Sequence, residues 1–102
     1  MEDWKKIDGL KSHYINRNGD VIKKFKNGWD KPTKVFISPR GYKYFNVSED
    51  KETITIMVHR AVANAFIPNP ENYEFIKHID HNKLNNNVNN LMWCATPKKN
   101  IL

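Results

Sequence analysis

Residues able to do chemistry crowd into the last third of the chain. His78, Asp80 and His81 stand within four consecutive positions, Lys77 precedes them, and Asn82 to Asn90, NKLNNNVNN, holds six asparagines. Imidazole is the side chain that moves protons near neutral pH, so His78 is the first group to consider as a base. Asparagine bonds its own neighbouring amides and tolerates left-handed backbone, so the tract predicts a loop held by side-chain to backbone bonds. Leu84, Val88 and Leu91 give that loop apolar anchors. Zinc is not expected, because His59, His78, His81 and Cys94 show neither C-x₂-C nor H-x₃-H spacing. Cys94 is the single cysteine, so an internal disulfide is excluded. On residue type alone His78 could equally be a hydrogen-bonded structural histidine, and His59 beside Arg60 reads as a structural or phosphate-contacting group.

A second kind of chemistry lies upstream. The chain carries 17 Lys and Arg against 11 Asp and Glu, a net charge of +6. From Lys11 to Val47 nine basic residues face only Asp20 and Asp30, so this segment holds +7 and the remainder is close to neutral. Tyr14, Phe25, Trp29, Phe36, Tyr42, Tyr44 and Phe45 are interleaved with the cations. Basic residues mixed with aromatics suit a polyanion whose phosphates and bases can both be contacted. The alternative is a solvated lysine face over an aromatic core. Trp4, Trp29 and Trp93 are read here as core residues.

The elements that must position these groups are legible in the patterning. His13–Ile15, Asn18-Gly19 and the run from Val21 to Phe25 spell a hairpin. Val35–Ile37 and Tyr42–Val47 flank Pro39-Arg40-Gly41 as a second hairpin, and Thr53–Ile56 alternates as a further strand, together a small antiparallel sheet. Val58, Ala61, Val62, Ala65 and Phe66 form one apolar stripe on a helix that ends before Pro68. Glu74–His78 and Leu91–Cys94 read as strands, and Thr96-Pro97 as the cap and first residue of a closing helix. At 102 residues with 39% hydrophobic content, the chain has material for one modest core or two very small ones. No run approaches the roughly 20 apolar residues of a membrane span and the N-terminus lacks a signal-like stretch, so a cytoplasmic protein is expected.

Three motifs in order, VHRAVANAFIPNP, KHIDHNKLNNNVNNLMW and TPKKN, resemble the HNH nuclease domain of phage and intron-encoded homing endonucleases. The run WKKIDGLKSHYINRNGDVIKKFK is similar to the small DNA-binding module that often precedes that domain. The resemblance implies an α+β fold: a β-rich basic module over 1–50, then a ββα-metal region over 54–102, packed as one unit. It implies His78 as general base and Asn90 as the brace of the loop. It implies Asn100 on the last helix as a ligand of magnesium or manganese; with Lys77 before the histidine, the second ligand is Asp80 or a residue in a shifted register, or the site holds metal poorly. Duplex DNA would be held by Arg17, Lys23, Lys24, Lys26, Arg40, Lys43, Arg60 and Lys77, in the cytoplasm of a bacterial host carrying a phage-encoded protein.

Four positions depart from the family pattern. Lys77 replaces the Asn or Asp usual before the histidine, and a protonated ammonium has no lone pair for a cation. His81 stands where glycine is usual, one extra residue separates Trp93 from Thr96, and Lys99 replaces a glutamate. Three readings therefore stay open: a metal-dependent nickase or double-strand endonuclease, a DNA-binding protein that keeps the fold without cleavage, and a phage inhibitor of a host nucleic-acid enzyme.

Overall fold

A computed structural model describes residues 4–95. Thr96-Pro97, Lys99 and Asn100 lie outside the described residues. Nine strands, one α-helix and one 3₁₀ turn make up the described chain, which is α+β as expected. In order they are β1 (Lys5–Lys6), β2 (His13–Ile15), β3 (Val21–Lys24), β4 (Asp30–Pro32), β5 (Phe36–Ile37), β6 (Lys43–Glu49), β7 (Glu52–Met57), α1 (Val58–Phe66), β8 (Phe75–His78), the 3₁₀ turn Val88–Asn90 and β9 (Leu91–Cys94).

The strands do not join into one sheet, which corrects the expectation from sequence. They form a four-stranded sheet in the order β1-β2-β3-β4, a three-stranded sheet β5-β6-β7, and a two-stranded ribbon β8-β9, all antiparallel. The break falls between β4 and β5, where Pro32 lacks the N–H that a ladder needs.

Each junction has a local cause. The Asn18-Gly19 turn is closed by Asn16, a buried side chain whose Oδ1 accepts from the N–H of Asn18 and of Asp20 at 3.0 and 2.9 Å. Gly19 sits at φ +87, a conformation that favours glycine. A side-chain carbon there would stand 3.2 Å from Asn86 Cβ and 3.3 Å from Val58, so the turn is pressed against the Asn-rich loop. The loop answers with a bond from Val88 N–H to the Arg17 carbonyl at 2.8 Å. Asp50 and Lys51, both at positive φ, make the tight turn of β6–β7, so this hairpin spans the position where the two segments were expected to meet.

The helix buries Val58, His59, Ala61, Val62 and Ala63. Its apolar stripe meets Ile15 and Val21 from the first sheet, Phe45 and Val47 from the second, and Leu91 from the ribbon, in one core cluster. The chemistry-bearing ribbon therefore rests on the same core as the basic half.

Candidate active site

β8 runs into the Asn-rich loop, and the alternation of a strand decides what each of its residues meets. Ile76 packs against the core and His78 is 5% exposed, so both turn inward, while Phe75 and Lys77 leave on the other face of the ribbon. His78 ends the strand opposite Leu91. Its Nε2 lies 2.8 Å from Oδ1 of Asn86, itself 4% exposed. With the amide oxygen as acceptor, Nε2 carries the hydrogen, and Nδ1 is then the ring nitrogen with the lone pair.

Two aromatic rings complete the surroundings. The His59 ring on α1 lies 5.2 Å from that of His78, and Tyr42 lies 5.2 Å from His59 and 6.1 Å from His78. Lys83 reaches over Tyr42 at 4.8 Å and donates to the Arg40 carbonyl at 3.0 Å, joining the β5–β6 turn to the loop. Burial is the main reason that His59 is pushed down to about 4, with the neighbouring His78 and Arg60 adding to it. His59 is thus a neutral neighbour near neutral pH and places no positive charge against the His78 ring.

Asn90 bonds both to Asp80 and to the backbone of the loop. Its Nδ2 donates to Asp80 Oδ1 at 2.8 Å and to the Asn85 carbonyl at 2.9 Å, and its Oδ1 accepts from Asp80 N–H at 3.0 Å. Asp80 also accepts from Asn82 N–H at 2.8 Å and from Asn85 Nδ2 at 3.0 Å. The Asn85 amide, then the Asn82 N–H and the Asn90 amide, hold the exposed Asp80 carboxyl below its ordinary value. His81 takes φ 65, a conformation that favours glycine, and donates its N–H to the His78 carbonyl at 3.0 Å.

Asp80 is an ionised oxygen donor, but three loop groups already engage it. Lys77 offers no lone pair, and no group of three or more His, Cys, Asp or Glu side chains among the described residues could hold a metal ion.

The cations expected to meet DNA are spread over several elements. Lys23 and Lys24 are exposed on β3, Lys26 stands in the turn that follows, and Arg40 and Lys43 flank the start of β6. The Arg17 guanidinium lies over the Phe66 ring at 4.7 Å, and Arg60 donates to the Glu74 carbonyl at 3.0 Å. Trp29 corrects an expectation: it is 71% exposed, because it sits at the β3–β4 turn beyond the reach of the core. Asn86, Tyr42 and Lys83 were not singled out for the site from sequence, since nothing local in their neighbourhoods announces a contact with His78 or its ring partners.

A family model described as HNH endonuclease matches residues 57–100, which include His59, His78, Asp80 and Asn90. The chain is 40% identical over 96 residues to an HNH endonuclease of Acanthamoeba polyphaga mimivirus, L245, covering 94% of this chain and 28% of that one. It is 34% identical over 99 residues to the DNA endonuclease I-HmuI of Bacillus phage SP01, covering 97% of this chain and 55% of I-HmuI. A solved structure of I-HmuI, described as showing DNA binding and cleavage by that HNH homing endonuclease, superposes with a TM-score of 0.78 at 32% identity, over 91% of this chain and 52% of the other. Residues 57–100 thus match the HNH endonuclease family, and the likeness to HNH endonucleases extends over nearly the whole chain. It spans between 28% and 55% of the length of these curated relatives.

Proposed function

We propose that the chain binds duplex DNA through its basic half and hydrolyses a phosphodiester with His78 as general base. The observation that carries this reading is the buried His78 Nε2 to Asn86 Oδ1 contact of 2.8 Å. It fixes the imidazole in one orientation and leaves Nδ1 to take the proton of an attacking water. Asn90, tied to Asp80 and to the loop backbone, keeps the turn beyond β8 from sagging. Lys23, Lys24, Lys26, Arg40 and Lys43 supply phosphate contacts that orient the duplex without reading its sequence.

Magnesium or manganese is the expected cation, and it would neutralise charge on the phosphate and the departing oxygen. Asn100 and Asp80 remain the first residues to test as ligands. The relation to a phage enzyme favours a phage-encoded protein at work in the bacterial cytoplasm. No described helix is long and apolar enough to cross a membrane.

Lys77 favours one second reading, a DNA-binding protein that does not cut. Its ammonium can balance a phosphate charge but cannot act as a Lewis acid toward the leaving oxygen. Plasmid nicking with magnesium, with manganese and with a chelator separates the two. Cleavage that needs the cation and falls at least about 10²-fold in His78→Ala, with DNA binding retained, supports the nuclease. Tight binding without nicking under any cation supports the second reading, and nicking that survives His78→Ala overturns the assignment of the base.

A further inference from the structure

Residues 22–44 contain no buried side chain, although they include β4, β5 and most of β3. Five of the eleven large hydrophobic residues that stand exposed among the described residues fall inside this stretch: Phe25, Trp29, Val35, Phe36 and Ile37. Regular backbone pairing with its apolar groups in water is the pattern of an arm that gains its cover from a partner. The same stretch carries seven of the chain's cations against one carboxylate, Asp30, so the partner it fits is a polyanion with apolar faces.

The most exposed of these groups is also held firmly. Phe25 N–H donates to the Trp29 carbonyl at 2.8 Å, Gly28 N–H to the Phe25 carbonyl at 3.0 Å, and Trp29 N–H to Asn27 Oδ1 at 3.1 Å. Lys24 and Asp30 are paired directly beneath the turn. Lys23 lies over the Phe25 ring at 5.2 Å and Lys34 over Phe36 at 5.5 Å, so those two faces are already occupied. Among the described residues no cation or ring lies over Trp29. An indole on a backbone fixed by three bonds, set between Lys26 and Lys31, can meet a base with little ordering cost.

Resting on the DNA reading above, we propose that Trp29 is a stacking wedge, inserted at a base step of the duplex while the lysines around it hold the flanking phosphates. Apolar or aromatic side chains used this way part-unstack a step and bend the duplex around the protein. The position is on the arm, not in the His78 cluster, so the wedge would act in seating the DNA and not in the proton transfer.

The test uses the whole chain and a fluorescently labelled mixed-sequence DNA duplex, titrated at several salt concentrations with wild type, Trp29→Phe, Trp29→Ala and Lys26→Ala. Wild type should show quenched tryptophan emission on binding, and Trp29→Phe should lose most of the quench while keeping affinity within a few fold. Trp29→Ala should bind about 5- to 100-fold more weakly with an unchanged salt slope, whereas Lys26→Ala should lower the slope by about 0.9. Thermal melts of Trp29→Ala should match wild type, since the side chain is exposed. Wild-type binding that Trp29→Ala leaves within twofold, or a quench that persists in Trp29→Phe, overturns the wedge and leaves the DNA reading standing. Failure of wild type to bind at low salt overturns both.

Discussion

Asn86 accepts from the ring of His78 at 2.8 Å while its own Nδ2 is buried without a partner among the described residues. The amide is therefore committed to one task, orienting the imidazole. Asn86→Ala should lower nicking by about 10- to 100-fold, the size of loss seen when the partner that orients a metal-bound imidazole is removed. Single-turnover nicking beside a binding titration checks it: the rate should fall and the affinity should hold. An equal loss of both would mean that Asn86 supports the loop as a whole.

Stability should fall on mild acidification, and His59 sets the window. Folding pushes it from an ordinary 6.5 to about 4, so between those values the unfolded chain binds a proton that the folded chain does not. Its contribution is intact above about pH 6.5, declines as pH falls toward 4, and changes no further below that. The full loss is on the order of 3 kcal/mol. Urea unfolding at pH 7 and pH 4.5 measures it, and His59→Phe should flatten the dependence. The exposed Asp80 carboxyl acts only at lower pH, where protonation removes its bonds to the loop.

Asn90→Asp should destabilise more than Asn90→Ala. The alanine variant loses two donated bonds and one accepted bond around Asp80, about 1–3 kcal/mol for groups this buried. The aspartate variant adds a carboxylate where an amide nitrogen stood 2.8 Å from Asp80 Oδ1. Thermal melts at pH 7 should rank wild type above Ala above Asp, and the Asp variant should recover partly when the pH is lowered far enough to protonate one of the pair.

Phosphate contacts by the basic half should make affinity steeply salt-dependent, log K falling by about 0.9 per contact for each decade of salt. Removing Lys23, Lys24 or Arg40 singly should lower the slope by about one contact. Arg17→Ala should instead cost packing as well, because its guanidinium covers Phe66. The slopes come from anisotropy titrations at several salt concentrations, and a flat response from wild type would remove the phosphate contacts altogether.

Short-range signals carried most of the architecture. Asn18-Gly19 gave the first hairpin and the stripe from Val58 to Phe66 gave the helix, because both patterns are set by residues a few positions apart. β1 and β4 were missed, since strands of two and three residues on sheet edges show no alternation, and β4 contains Pro32. Splitting of the strands into separate sheets is a tertiary outcome with no local signature. His78 and Asn90 were legible through family motifs, whereas the ring cluster of Tyr42, His59 and His78 joins three distant segments. Trp29 was misread because tryptophan is usually well covered, and composition does not reveal that a turn projects beyond the core.

Gly19 gives the molecule a mechanical property. A side-chain carbon at Gly19 in the β2–β3 turn would meet Asn86, and Asn86 holds the imidazole of His78, so only one side chain lies between that turn and His78. A duplex seated on the basic hairpin, as proposed above, would press on a turn that a single side chain separates from His78. Gly19→Ala drives a methyl into the same contact, at a backbone angle that costs about 1–2 kcal/mol for a residue with a side chain. Its nicking rate should fall further than its melting temperature accounts for, the mark of a lever bent near its fulcrum.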